Sequence, residues 1–270
     1  MLKLKYITNR PDIAQIAETA GVDRIFVDLE YIGKDLRQKG LDTVQSHHTF
    51  DDIEVVSKAI NRADLLVRIN PIHKNTKEYI SSQEEIDRVI KCGADIIMLP
   101  YFKKIEEVEA FIKYVNGRAR TMLLLETPEA VDIIDSILSI DGIDEIFIGL
   151  NDLSLGYNKK FMFELLCDGT VEELCYKFYK KGMPYGFGGI ASLGKGLLPS
   201  ERIIIEHYRL GSTCAILSRS FCNVNQIEHM GIISSTFVNG IREIRDYEKI
   251  VATHSDFFKR NLEEIKKDIN

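Results

Sequence analysis

Two carboxylates stand out in this chain for what they can do together. Glu126 closes the apolar run RTMLLLE, and Asp152 closes DEIFIGLND, 26 residues further on. Anions brought side by side crowd each other unless they share a proton or a cation. No His or Cys accompanies them in the pattern, and hard oxygen ligands suit Mg2+ or Mn2+. With only two protein ligands, the remaining coordination falls to water or substrate oxygens, which is an arrangement for chelating a substrate. A second reading stays open, in which Glu126 caps a helix starting at Thr127 and Asp152 caps the turn at Leu153.

Arg68 lies inside the apolar run DLLVRIN, where an unpaired guanidinium is costly to bury. Its planar fork suits a carboxylate or carbonyl oxygen of a substrate. The alternative is an internal ion pair with Asp28 or Glu30 of the run DRIFVDLE, and the two roles are compatible. The segment FIGLNDLS offers backbone N–H groups of Gly149, Asn151 and Asp152 in a tight turn, a place for a small anion. His47 and His48 fall in the polar stretch GKDLRQKGLDTVQSHHTF, as do Lys34 and Arg37. A neutral imidazole suits proton transfer near pH 7, although either histidine equally well precedes and caps the helix at 49. Lys34 and Arg37 are candidates for a second anionic group or ordinary solvated charges. GFGGI and GKG, with Lys195, offer a weaker phosphate-type site or a strand end and turn.

What must position these groups is a series of strands. Eight short apolar runs, at 3–8, 23–30, 64–70, 94–100, 120–126, 144–152, 184–190 and 214–221, alternate with amphipathic stretches. Several runs are nearly continuous Val, Ile, Leu and Phe, as in parallel strands covered on both faces. Among the intervening stretches, 11–21 opens on Pro and closes on Gly, 49–63 starts with a capping Thr or Asp, 81–93 opens on Ser and ends at Gly93, and 104–117 and 127–139 follow the same helical plan. Eight such units predict an α/β fold, the (β/α)8 TIM barrel, over an open doubly wound sheet, because no GxGxxG follows the first strand. The barrel is expected over 1–225, with a C-terminal helical extension over 226–270 that packs on a neighbouring subunit. In such a barrel the chemistry sits at the C-terminal strand ends, where Asp28, Glu30, Arg68, Glu126 and Asp152 all fall.

A net charge of −6 with no basic stripe argues against nucleic acid as a partner. No apolar run approaches a membrane span and no signal-peptide pattern opens the chain, so no membrane partner and a cytoplasmic location are expected. Cys92, Cys167, Cys175, Cys214 and Cys222 show no CxxC or zinc spacing and read as reduced packing thiols.

The segments FVDLE, LLVRINP, GADIIMLP, LLLETPEAV and GIDEIFIGLNDLSLGYN, in that order across 21–157, resemble the HpcH/HpaI aldolase/citrate lyase family of metal-dependent 2-oxoacid aldolases and citrate lyase β subunits. The resemblance implies that Glu126 and Asp152 hold a divalent cation and that Arg68 contacts the keto oxygen and stabilises an enolate. It implies that the amides around Gly149, Asn151 and Asp152 receive the pyruvate carboxylate. It also implies C-terminal helices exchanged within a homo-oligomer, a trimer or hexamer. Tyr31 stands where the aldolase branch carries a histidine, Tyr101 follows Pro100, and Leu150-Asn151 replaces a Pro-Ala pair.

The expected activity is therefore a metal-dependent carbon–carbon lyase. It would cleave or form a 4-hydroxy-2-oxo acid from pyruvate and an aldehyde through a pyruvate enolate. Candidates for the base are His48, His47 or a metal-bound hydroxide oriented by Glu30. The alternatives are a citrate- or malyl-CoA-type lyase and a barrel that binds a 2-oxo acid or phospho-sugar without turnover.

Overall fold

The computed structural model of the protein describes residues 1–34, 46–227, 229–254 and 256–269. Strands and helices alternate through β1 (Lys3–Ile7), α1 (Pro11–Ala20), β2 (Arg24–Asp28), α2 (Phe50–Ala59), β3 (Asp64–Arg68), α3 (Ser82–Lys91), β4 (Ile96–Leu99) and α4 (Ile105–Val115). The chain continues with β5 (Arg120–Leu125), the short α5 (Pro128–Asp132) and α6 (Ile134–Ile137), β6 (Glu145–Ile148) and α7 (Leu150–Gly156). A 3-10 turn (Met162–Leu166), α8 (Thr170–Lys181), β7 (Tyr185–Ile190), α9 (Ser200–Arg209), β8 (Cys214–Leu217), α10 (Met230–Thr253) and α11 (Phe257–Ile269) complete it.

Each strand pairs in parallel with the next, and β8 returns to β1 through Lys3–Cys214 and Leu4–Ala215, so the sheet closes into the expected eight-stranded barrel. Alternation along the strands divides the apolar residues between two cores. Leu123 and Leu125 of β5 join the large outer core beneath the helices, while Met122 and Leu124 join Phe26, Leu66, Met98 and Phe147 inside the barrel. The same parity aims Asp28, Arg68 and Glu126 inward at one end. The opposite end is plugged by charge, with Arg24 pairing to Glu145 at 2.8 Å and Arg120 to Asp64 at 2.6 Å.

Local signals set the helix boundaries. Thr49 and Asp52 exchange bonds at the start of α2, and Ser81 and Glu84 do so at the start of α3, so orphan amides at both N-termini are satisfied. Pro11 and Pro128 occupy first-turn positions, and Gly21 ends α1 at φ 103°, a conformation that favours glycine. One run divides differently from expectation. DEIFIGLND is not a strand throughout: the strand ends at Ile148, and Gly149 caps α7, which puts Asn151 and Asp152 in the first helical turn.

The segment beyond 226 packs on the chain's own barrel. Ile233, Phe237, Ile241, Ile244 and Val251 of α10 are buried, and the Phe237 ring meets Tyr6 at 4.9 Å and Phe221 at 5.4 Å. Buried Glu248 accepts the Leu2 amide at 2.6 Å, and Arg245 donates to the Leu2 carbonyl at 2.7 Å. Asn261 of α11 donates to Glu206 of α9 at 2.8 Å. Among the described residues no helix is long and apolar enough to cross a membrane. Because α10 seats the β1 edge through one fully buried ring, Phe237→Ala is expected to lower unfolding stability by ~3–5 kcal/mol. Urea denaturation followed by circular dichroism reads this directly, and a loss below about 1 kcal/mol would contradict the packing described.

Candidate active site

The inward-facing end of β2 builds one half of the site. Asp28 is buried and takes a two-pronged bond from Arg68, Nε to Oδ1 at 2.8 Å and Nη2 to Oδ2 at 2.7 Å. Lys34 adds its ammonium to Oδ2 of Asp28 at 2.8 Å. Glu30, also buried, stands 3.2 Å from Arg68 Nη1 and 3.7 Å from Lys34 Nζ. Burial pushes the Asp28 carboxyl up, but Arg68 and then Lys34 outweigh it and hold the group well below the usual carboxylate range. The same pairing, against burial, lifts the Arg68 guanidinium above its ordinary value. Both ion-pair partners weighed for Arg68 are therefore engaged, and Arg68 still lines the barrel cavity.

Around this quartet the loop feet are stapled. Asn70 Oδ1 accepts the amides of Tyr31 at 2.8 Å and Ile32 at 2.9 Å, and its own amide groups donate to Glu85 of α3. His48 is buried and its Nδ1 accepts the Asp28 amide at 3.0 Å, which places any proton of the neutral ring on Nε2. Burial pushes the His48 imidazolium below its ordinary range. The Tyr31 hydroxyl donates to the His48 carbonyl. His47 is exposed, its ring stacked at 6.1 Å from that of Tyr31.

β5 and β6 build the other half. Glu126 follows the last residue of β5, is buried, and its Oε1 accepts the Tyr101 amide at 3.0 Å. Tyr101 reaches that position in a left-handed conformation, φ 49°, immediately after Pro100. Gly149 brings the start of α7 against Glu126, because a Cβ at that position would lie 2.8 Å from both Cβ and Oε2 of Glu126. Asp152, one helical turn on, has Oδ1 accepting from Asn151 Nδ2 at 3.0 Å. Thr127, not Glu126, caps α5 by accepting the Ala130 amide.

Glu126, Asp152, Gly149, Asn151 and Arg68 line one cavity of about 270 Å³ at the barrel mouth. Glu126 and Asp152 also line an outer cavity of about 460 Å³ with Tyr101 and Lys103. His48 lines a third cavity of about 350 Å³, with Tyr31, Asn70 and Glu85. So the carboxylate pair, the arginine and the α7 turn are brought together, whereas His47 and His48 face elsewhere. Lys34 is drawn into the quartet, Arg37 lies outside the described residues, and Lys195 is exposed on its turn. All five cysteines are free thiols. Among the described residues no cluster of three or more His, Cys, Asp or Glu is placed to hold a metal ion. Two carboxylates on one cavity wall nevertheless form a hard-oxygen donor set that fits a divalent cation completed by water or substrate.

A (β/α)8 barrel with charged groups gathered at the C-terminal strand ends is the architecture of an enzyme active site. The sequence profile of the HpcH/HpaI aldolase/citrate lyase family matches residues 6–164, and the chain belongs to that family. A hydroxypyruvate/pyruvate aldolase from Roseovarius nubinhibens is 24% identical over 156 residues, which is 53% of this chain and 60% of the relative. An HpcH/HpaI aldolase from Desulfitobacterium hafniense superposes with a TM-score of 0.61 at 18% identity, covering 91% of this chain and 93% of that one. A family protein from Burkholderia cenocepacia gives 0.63 at 12% identity, covering 90% and 95%. At these identities the two structures speak for the fold alone.

Two participants were not visible as such in the sequence: the Tyr101 amide and the Asn70–Glu85 clip act through backbone and distant contacts that no spacing reveals. Asp28 carries a pH consequence. A carboxyl with a depressed folded value stabilises the fold above its unfolded value of about 3.9 and loses that contribution as pH falls through and below it. Asp28→Asn is therefore expected to cost ~3–5 kcal/mol at pH 7, with the gap to wild type narrowing below about pH 4. Urea midpoints of both proteins from pH 7 down to 3 check this, and a pH-independent gap would refute it.

Proposed function

We propose that the chain is a metal-dependent carbon–carbon lyase that cleaves or forms a 4-hydroxy-2-oxo acid, with pyruvate as the donor half and an aldehyde as the acceptor. The observation that carries this reading is the meeting of Glu126 and Asp152 with Arg68 on the wall of one small cavity. Glu126 and Asp152 are the residues that would hold Mg2+ or Mn2+. When bound there, such a cation supplies Lewis acidity to the carboxylate and keto oxygens of the 2-oxo acid. The amides of Gly149, Asn151 and Asp152 would receive the substrate carboxylate.

The chain's own residues divide the remaining work. Asp28 grips two nitrogens of Arg68 and Glu30 a third, so the guanidinium is held as a preorganised donor toward the cavity. Charge that develops on the keto oxygen as the carbon–carbon bond breaks is stabilised by donors that need no rearrangement. Glu30 acts here by aiming Arg68. The proton of the scissile hydroxyl needs a base; His48, the expected candidate, lines the neighbouring cavity with Tyr31 and Asn70 and His47 is exposed, so neither stands on the wall that holds Glu126 and Asp152.

Purified protein with Mn2+ is expected to release pyruvate from a 4-hydroxy-2-oxo acid, to stop with EDTA, and to lose at least ~100-fold in kcat in Glu126→Gln or Asp152→Asn. Silence toward every 4-hydroxy-2-oxo acid, with turnover of an acyl-CoA substrate instead, would move the assignment to the CoA-type lyases. Gly149→Ala drives a methyl group into Glu126 and is expected to weaken Mn2+ binding by ~10–100-fold, read by calorimetry. His48→Gln tests the base: a kcat within twofold of wild type removes that residue from the chemistry.

A further inference from the structure

The cavity that His48 lines takes no part in the reaction above. It is walled by the β2–α2 and β3–α3 connections with α2 and α3, and its described lining residues are all distinct from those of the barrel cavity. At about 350 Å³ it falls within the range of small-molecule pockets, roughly 300–1,000 Å³. Three aromatic rings face into it, Tyr31, Phe50 and Tyr79. Tyr79 is seated by local contacts: its amide donates to Thr76 Oγ1 at 3.0 Å, and its ring meets His73 edge-on at 6.2 Å. His73 is a strut, with Nδ1 2.8 Å from the Pro71 carbonyl and Nε2 2.7 Å from the Ile80 carbonyl.

His48 is engaged at one nitrogen only. Its Nδ1 accepts the Asp28 amide, so the proton of the neutral ring sits on Nε2, which leaves the imidazole on the side away from that bond. Among the described residues nothing accepts this N–H, although the side chain lines the cavity and is only 8% exposed. A nearly buried donor without an acceptor is costly until something in the cavity accepts from it. The rim carries one charge of each sign. Glu78 and Arg88 both line the opening, both are exposed, and among the described residues neither joins an ion pair. The Arg88 guanidinium lies 4.2 Å over the Phe50 ring, which fixes it beside the aromatic wall.

We propose that this cavity binds a free aromatic amino acid bearing a ring hydroxyl, of the tyrosine type. The ring packs among Tyr31, Phe50 and Tyr79, and its phenol oxygen accepts from His48 Nε2. The α-carboxylate meets Arg88 and the α-ammonium meets Glu78. Each part of the ligand answers a separate feature of the wall: an aromatic acid without the amine would leave Glu78 opposed to it, and an aliphatic amino acid would leave the rings unmatched. The inference stands apart from the cation reading of Glu126 and Asp152. The occupant nevertheless rests on groups tied to the end of β2, through His48 to the Asp28 amide and through Asn70 to the Tyr31 amide.

Calorimetry on the full-length chain with L-tyrosine tests the site, and one-to-one binding is expected. L-Phenylalanine, which lacks the phenol oxygen, is expected to bind ~2–10-fold more weakly, and tyramine, which lacks the carboxylate, at least ~10-fold more weakly. Arg88→Met is expected to reproduce the tyramine loss with tyrosine itself, whereas Glu126→Gln leaves tyrosine binding unchanged. Equal affinity for all three ligands would mean that only an apolar ring is recognised, and would overturn the assignment. Loss of tyrosine binding in Glu126→Gln would move the ligand to the barrel cavity and overturn it equally. No heat with L-tyrosine near its solubility limit, in protein that still binds Mn2+, would strike this inference and leave the proposed lyase site standing.

Discussion

The site depends on bringing four carboxylates to one end of a barrel without unfolding it. Asp28 and Glu30 are drawn in together with Arg68 and Lys34, so two acids and two bases form a buried quartet whose charges balance. Removing any one member would leave an uncompensated charge in a poorly solvated place, which costs far more than the pair itself contributes. That interdependence makes Arg68 rigid. A long side chain that normally samples many rotamers is fixed at three of its nitrogens. The other two carboxylates are placed differently: Glu126 accepts the Tyr101 amide, Asp152 accepts from the Asn151 side chain, and both line the barrel cavity.

Steric details at two residues govern that second pair. Glycine at 149 lets the turn into α7 lie directly on the Glu126 carboxylate, where any side chain would collide. At Tyr101, a conformation that costs a non-glycine residue of order 1 kcal/mol or more turns one amide toward Glu126. Both act through backbone placement, and the strain is localised where an acid must be aligned. The opposite end of the barrel, with Arg24, Asp64, Arg120 and Glu145, is a conventional plug of ion pairs.

Much of this architecture is legible in the amino-acid order because barrel strands have strong local signatures. Apolar runs recur eight times, with Pro, Thr or Ser starts and Gly stops marking several of the helices between them, and two-residue parity then sends Asp28, Arg68 and Glu126 to the same interior. Parity fails at Asp152, since it assumes that a strand continues through Gly149, whereas the backbone turns helical there. Lys34 reads as a solvated loop charge because nothing in its neighbourhood reveals that two buried acids wait for it across the loop. The histidines show the limit of residue type as a guide: His48 has the right chemistry, but one ring nitrogen is spent on the backbone of Asp28. The side of the barrel that α10 covers is likewise set by tertiary packing of Phe237 and Glu248, not by the helix's own periodicity.

Asp28 also serves as a common anchor for the two feet of the β2–α2 connection. Lys34 grips its side chain from one foot, and His48 receives its amide from the other. A span whose ends are already joined adds little closure entropy when its length changes, about 0.6 kcal/mol per doubling. Lys34 and His48 therefore mark the two points at which the connection is tied to the barrel, and both ties converge on one buried residue.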